Sequence, residues 1–322
     1  MKRTILTGAS GFIGANLARK LLQDGHDVHL LLRKEYLKWR IEDILKDVSI
    51  HIVDLCDKEA LEKALKSIRP EWIFHLAAYG NYSWQDRIDR IFQTNLFGTI
   101  NLIEASRKIG FDVFINTGSS SEYGLKNYPP SEIECIDPNS YYAIAKASAS
   151  LYCRYTAQKH KINIITLRLY SAYGLFEEPR RLIPTVIIKG LNGKLPPLVK
   201  PDVVRDFVYI DDVVRAYCLA AETKDLDFGA IYNIGSGIQI TMENIIEIAK
   251  RVLKIDDSPN WGSMENRIWD TSVWVANNQK AKKILNWNVE NTFEEGFSKT
   301  VSWFRNNHAI ASYYLQSIGK KK

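Results

Sequence analysis

No apolar stretch in this chain approaches the roughly 18 residues that a membrane-spanning helix needs, so no membrane partner is expected. Cysteine is scarce. Cys56, Cys135, Cys153 and Cys218 are the only four in 322 residues, none forms a C-x-x-C pair, and no histidine sits at zinc-finger spacing. A disulfide framework or structural metal is therefore not expected, and a reducing cytoplasm fits best. With 18 glycines and 10 prolines the chain has too little of either for a collagen-like or low-complexity protein. Neither sign of charge dominates. The 43 basic and 37 acidic residues leave +6, which suits a small anionic ligand such as a phosphate ester. That surplus is too small to indicate nucleic acid. There is no internal repeat. Hydrophobic residues at 46% and charged residues at 25% are globular values.

The first twenty residues imitate a signal peptide, with Lys2-Arg3 ahead of a mostly apolar stretch to Ala18. Gly8, Gly11, Gly14 and Asn16 make that stretch a poor apolar segment, and they fit a more specific pattern.

Short β-rich runs occur at Thr4–Leu6, Val28–Leu32, Ile50–Val53, Trp72–Leu76, Val113–Ile115 and Ile164–Leu169. They show little polar alternation, as strands buried on both faces do. Helical spacing fills Phe12–Gln23, Lys58–Ser67, Asp89–Lys108 and Tyr141–His160, with Asp57 placed to cap the second. Such alternation predicts an α/β fold, a doubly wound parallel sheet of Rossmann type. After Leu169 the rhythm changes. Prolines and glycines cluster between 179 and 201, Phe207–Tyr209 and Ile231–Ile234 read as strands, and Met242–Leu253 reads as a helix. The expected organisation is a dinucleotide domain over 1–169, rejoined by about 207–235. A smaller C-terminal substrate-binding lobe takes 170–206 and 236–322.

Strand Thr4–Leu6 runs into Thr7-Gly8-Ala9-Ser10-Gly11-Phe12-Ile13-Gly14 and then a helix. Gly8 permits a tight turn, Gly11 lets backbone approach a pyrophosphate, and Gly14 lets the helix pack close to the sheet. The helix N-terminus offers unpaired N–H groups and partial positive charge. Gly8, Ser10, Gly11, Phe12, Ile13 and Gly14 are the candidate phosphate contacts.

The second strand ends in Arg33-Lys34, with no acid before Glu35. An acid there would bond a ribose 2′-hydroxyl, whereas Arg33 suits a 2′-phosphate, so NADP(H) is the preferred expectation and NAD(H) the alternative. Tyr142 and Lys146 are four residues apart early in a helical pattern and so share one face. A tyrosine with ordinary pKa near ~10 needs a neighbouring cation to exchange protons at neutral pH. Tyr141 has only Ala145 at the same spacing.

The glycine spacing G-x-x-G-x-x-G with Thr7 resembles the extended short-chain dehydrogenase/reductase family, and motifs in matching order extend the resemblance over about residues 3–305. It implies that Asp54 and Leu55 contact the adenine side, that Leu76, Ala77 and Ala78 wall the ribose and nicotinamide, and that Asn95 secures the cofactor scaffold. His75 reads as a packed strand-end residue. In Gly118-Ser119-Ser120-Ser121-Glu122-Tyr123-Gly124 the family's catalytic hydroxyl falls on Ser119, with Ser120 and Ser121 as rivals. The sugar 4,6-dehydratases need an acid one or two places after that hydroxyl. Here those places hold Ser120 and Ser121, and Glu122 comes one place late.

The resemblance also implies a nucleotide-diphosphate sugar as partner. Candidate substrate contacts are Ser83, Ser120, Ser171 (where the family usually has Asn), Arg205 and Arg267. A homodimer through the helices at 89–108 and 141–160 is expected. The Gly-Ser-Ser-Ser-Glu-Tyr-Gly segment and Val275-Ala-Asn-Asn-Gln279 are similar to nucleotide-sugar 4-ketoreductases, such as those making CDP-abequose, CDP-paratose or GDP-rhamnose. The resulting expectation is reduction of a 4-keto-6-deoxyhexose by NADPH. A 4-epimerase with tightly held NAD is the alternative, and a non-catalytic dinucleotide sensor the lesser one.

Overall fold

The computed structural model describes residues 1–264 and 273–319. In chain order the first half runs β1 (Arg3–Thr7), α1 (Phe12–Gln23), β2 (Asp27–Leu32), β3 (Ser49–Ile52), α2 (Lys58–Ile68) and β4 (Trp72–His75). Next come α3 (Ile88–Phe92), α4 (Gly98–Ile109), β5 (Val113–Ser119), α5 (Tyr141–His160) and β6 (Ile164–Leu169). The second half holds β7 (Ser171–Tyr173), α6 (Leu182–Gly190), β8 (Val204–Tyr209), α7 (Ile210–Glu222), β9 (Ile231–Ile234) and β10 (Gln239–Thr241). It ends with α8 (Met242–Leu253), α9 (Gln279–Leu285), α10 (Phe293–Asn306) and α11 (His308–Gly319).

Seven parallel strands form one sheet in the order β3-β2-β1-β4-β5-β6-β9. The order reverses between β1 and β4, where Thr7 pairs with His75, and a doubly wound sheet opens its ligand crevice at such a point. Alternate side chains serve opposite faces, as a period of two dictates. Ile5, Ile73 and Phe114 enter the core under α2 and α4, while Leu6, Phe74 and Ile115 enter the larger core that continues into the C-terminal half.

Two features depart from the sequence-based expectation of evenly buried strands and one long helix. Edge strand β3 has neighbours on one side only, and Ile52 is 54% exposed. The helix expected over 89–108 is broken by a π-helical turn, Gln93–Phe97, between α3 and α4. Within that turn Asn95 is fully buried, and its amide is bonded to the backbone of Tyr79 on both sides, which holds the widened turn in place. As expected, Asp57 caps α2 by accepting from the Ala60 N–H.

The strand expected at Phe207–Tyr209 is longer and belongs to a second sheet, ordered β10-β8-β7. β7 and β8 pair in parallel, Ser171 opposite Phe207. The chain then returns to the large sheet, with α7 against α1 and β9 beside β6.

Candidate active site

The turn after β1 fits an anion. Gly8 has φ +71°, and a Cβ there would lie 2.6 Å from the Ala77 nitrogen. A side chain at Gly14 would lie 2.4 Å from the Gly8 carbonyl oxygen, so Gly14 packs against the glycine turn and not against the sheet as expected. Gly11 N–H closes the turn on Gly8 O at 2.9 Å. Gly11 also stands at the N-cap of α1 without a side-chain cap, and the first turn carries no acid. Unsatisfied N–H groups thus point out of an uncluttered helix end, with half-buried Ser10, Phe12 and Ile13 around it. A dinucleotide pyrophosphate suits these residues.

Thr7 ties the turn to β4. Its Oγ1 accepts from the N–H groups of Leu76 and Ala77 and lies 2.8 Å from His75 Nδ1. His75 Nε2 lies 2.8 Å from Thr99 Oγ1, so both ring nitrogens have partners. Burial, with Lys146 adding to it, pushes His75 down to about 3 and keeps it neutral. Asn95 donates to Tyr79 O at 2.6 Å and accepts from Tyr79 N–H at 3.0 Å. It therefore holds the loop that continues from Leu76, Ala77 and Ala78.

On the adenosine side, Arg33 is exposed at the end of β2. Asp54 accepts from the Cys56 N–H at 2.8 Å, and Asn101 fixes the Leu55 carbonyl at 2.9 Å.

Ser140 caps α5 and brings Tyr142 and Lys146 to its first turns. Tyr142 is half-buried, Tyr141 is exposed, and Lys146 is buried. Ser119, the last residue of β5, lies close enough to Tyr142 to draw its pKa down. Burial is the main cause that raises Tyr142 to about 12, and the Glu122 charge adds to it, while Ser119 opposes. Burial also lowers Lys146, whose amine makes no hydrogen bond to any described residue. Of the three serines, Ser119 is the one that acts on the Tyr142 pKa. Ser121 Oγ lies 2.8 Å from Ser119 Oγ. Ser120 faces a cleft lined by Tyr123, Tyr170 and Trp274.

Glu122 is occupied. Oε1 accepts from Ser119 N–H at 2.8 Å and from Ser150 Oγ at 3.0 Å, and Oε2 accepts from Arg168 Nε at 2.8 Å. It sits at zero exposure and fixes the Ser119 backbone.

Arg205, half-buried on β8, donates to Val204 O at 2.6 Å and lies 5.9 Å from the Trp274 ring. Trp274 meets Tyr170 edge-on, which connects Arg205 to the Ser120 cleft. Ser171 is half-buried at the start of β7. Ser83 is exposed between Tyr82 and Trp84, whose rings stack at 4.9 Å. Arg267 lies outside the described residues. No group of three or more His, Cys, Asp or Glu side chains among the described residues is arranged to hold a metal.

Sequence reasoning missed the loop after β7. Glu177-Glu178-Pro179-Arg180-Arg181 reads as a charged turn, yet Arg180 lies 3.5 Å above the Trp84 ring and Arg181 lies 5.7 Å from the Tyr82 ring. The adjacent Arg180-Arg181 pair directly after Glu177-Glu178-Pro179 was the available signal.

A parallel sheet with a glycine turn at its switch point, and a Ser-Tyr-Lys cluster beside it, define a short-chain dehydrogenase-type enzyme. Residues 4–235 match the NAD dependent epimerase/dehydratase family, and the chain belongs to it. It is 29% identical to a UDP-glucose 4-epimerase of Mycolicibacterium smegmatis, over 94% of this chain and 99% of that one. It is 26% identical to a probable dTDP-glucose 4,6-dehydratase of Sinorhizobium fredii, over 95% and 93%. Among solved structures it is similar to UDP-glucuronic acid 4-epimerase from Bacillus cereus in complex with UDP-glucuronic acid and NAD. The TM-score is 0.84 at 26% identity, covering 94% of this chain and 99% of that one.

Proposed function

We propose that this enzyme moves hydride at C4 of a nucleotide-diphosphate sugar without eliminating water. The observation that carries the proposal is the pairing of a Ser119–Tyr142–Lys146 cluster with a Glu122 whose two oxygens are held by Ser119, Ser150 and Arg168. Elimination needs an acid able to reach the sugar, and Glu122 sits at zero exposure.

The nicotinamide supplies or accepts the hydride when it is bound. Tyr142 exchanges the proton of the C4 oxygen, and Ser119 hydrogen-bonds that oxygen. Lys146 favours the phenolate and holds the ribose. Arg205 takes a diphosphate oxygen through its guanidinium. Ser83, Ser120 and Ser171 are the remaining sugar-side contacts, and Asn95 acts on the cofactor wall through Tyr79.

The first form of this reaction is NADPH-dependent reduction of a 4-keto-6-deoxyhexose. Its support is the exposed Arg33, followed by Lys34, at the end of β2 with no acid in the ribose position. The second is NAD-dependent 4-epimerisation, favoured by the 4-epimerases among the relatives and by the NAD in the Bacillus cereus complex. Denaturing the purified protein and identifying released dinucleotide by mass spectrometry separates them. Near-stoichiometric NAD selects the epimerase and removes the Arg33 argument. An empty site that binds NADPH more tightly than NADH selects the reductase.

The working form proposed is a homodimer in the cytoplasm. Ile144, Leu151 and Tyr155 form one exposed stripe along α5, and Phe97 is exposed just before α4. No described helix is long and apolar enough to cross a membrane.

A further inference from the structure

We infer that Arg180 and Trp84 form a clasp that closes two loops over the dinucleotide site and sets how fast the dinucleotide enters and leaves. This inference rests on the reading of the glycine turn as the seat of the dinucleotide.

Both loops start beside that turn. The loop after β4 begins at Leu76 and Ala77, and Gly8 packs against it so closely that a Cβ would lie 2.6 Å from the Ala77 nitrogen. The loop after β7 begins beside α1, the helix that follows the turn. There Asn16 donates from Nδ2 to the Leu175 carbonyl at 2.9 Å. The two loops come from opposite halves of the chain, and their tips meet. The Arg180 guanidinium lies 3.5 Å from the centre of the Trp84 ring, and that of Arg181 lies 5.7 Å from the centre of the Tyr82 ring. Contacts therefore run in a closed circuit from Ala77 to Gly8, along the chain to Asn16, on to Leu175, out to Arg180, across to Trp84 and back to Ala77. The circuit takes in the glycine turn. A dinucleotide seated there is enclosed, and it leaves only when the tips part.

The two sides of the clasp are held differently. The arginine side is fixed. Phe176 adopts φ +65°, a left-handed conformation that a bulky aromatic residue does not take without support. Buried Arg40 donates from Nε to the Phe176 carbonyl at 2.7 Å, and Tyr314 of α11 donates to the Glu177 carbonyl at 2.5 Å. Glu178 lies 3.4 Å from Arg40 Nη2 through one oxygen and 3.4 Å from Arg180 Nε through the other, so it steadies Arg180. The aromatic side is built from local contacts. Residues 76 to 87 form no helix or strand. Gly80 N–H donates to Gln85 Oε1 at 2.9 Å and Gln85 N–H to the Tyr82 carbonyl at 2.8 Å, both within the loop. The Tyr82 and Trp84 rings stack 4.9 Å apart and 6° from parallel, which gives the two arginines one flat double face. A partly shielded guanidinium–indole contact is strong enough to keep such a loop shut and weak enough to break reversibly. The aromatic loop is then the part that moves.

The test uses the full chain. NADH and NADPH in turn are loaded and then chased with an excess of the oxidised form, and nicotinamide fluorescence times their exit. Titration gives the affinity. Arg180→Gln and Trp84→Leu are each expected to speed exit roughly 10-fold with the affinity nearly unchanged, because a clasp that stands in the path both ways slows entry and exit alike. Trp84→Phe, which keeps a ring, is expected to stay near the parent. The double variant is expected to release the probe no faster than either single one, since the two side chains make one contact. An unmoved exit rate in both single variants overturns the inference. So does an exit rate that rises only as far as affinity falls, which marks a weakened site and not a clasp. Multiplying effects in the double variant overturn the pairing of Arg180 with Trp84. A parent that binds neither probe overturns the reading of the glycine turn, and the clasp with it.

Discussion

Arg168 of β6 and Glu122 of the Ser119 loop form an ion pair at 2.8 Å with almost no exposure on either side. The pair fixes the Ser119 loop from inside, because the same carboxylate also accepts from Ser119 N–H. The Arg168 guanidinium lies 4.5 Å from the Tyr123 ring, and Tyr123 in turn donates to Asn233 at 2.8 Å.

Removing one partner of a buried pair leaves the other charge stranded. Arg168→Met is expected to destabilise the protein by about 3–5 kcal/mol. Replacing both residues, Arg168→Met with Glu122→Gln, is expected to recover part of that loss. Urea unfolding at neutral pH measures both, and a cost below about 1 kcal/mol for the single change would show that the pair is not what holds the loop.

Gly14→Ala puts a methyl group against the Gly8 carbonyl, where an ideal Cβ stands 2.4 Å away. The turn must shift, and overpacking of this kind costs about 1–3 kcal/mol. Dinucleotide affinity is expected to fall roughly 10-fold or more by calorimetry, while the far-ultraviolet circular dichroism stays that of the parent. Unchanged affinity would mean that the cradle tolerates a wider turn.

Tyr142→Phe keeps the ring and removes the hydroxyl. Turnover is expected to drop by about 10²–10⁴, with dinucleotide binding retained. Assays with UDP-glucose and with a nucleotide-linked 4-keto-6-deoxyhexose cover both proposed forms. Turnover close to that of the parent on either substrate would remove Tyr142 from the chemistry.

Glu177 predicts a pH dependence of stability. Its folded pKa is raised from 4.5 to about 8, so the folded state keeps a proton that the unfolded chain releases in that window. Stability therefore falls as pH rises between those values, with a slope approaching ~1.4 kcal/mol per pH unit. Glu177→Gln carries no such proton. Urea unfolding at a series of pH values should show the variant gaining on the parent up to about pH 8. A constant gap would place the Glu177 pKa back in the ordinary range.

Leu151 is 53% exposed and Tyr155 62% exposed on the same stripe of α5. Leu151→Glu puts a charge in the centre of the proposed dimer contact. Sedimentation velocity is expected to show a dimer for the parent and a monomer for the variant. A parent that sediments as a monomer rules out the dimer.

The sequence by itself determined the periodic parts. Strand and helix alternation, the Gly8-Gly11-Gly14 spacing and the Tyr142–Lys146 pair are local patterns, and local sterics and hydrogen bonding act on them directly. Helices Phe12–Gln23, Tyr141–His160 and Met242–Leu253 run as their periodicity indicates, as do strands Ile164–Leu169 and Ile231–Ile234. What depended on contacts between distant segments was decided only in three dimensions. The π-helical turn at Asn95 exists because Tyr79 supplies two backbone partners from another loop. The sequence shows Glu122 only as one place late for a dehydratase acid, and its partners Arg168 and Ser150 came only with the fold. Strand Val204–Tyr209 joined the small sheet because β7 and β10 offered it partners. The sequence reading did not single out the arginines at 180 and 181, whose partners Trp84, Tyr82 and Glu177 come from folding. A side chain's chemistry is local, but its burial and its partners are set by chain segments brought together on folding, and those decide what it does.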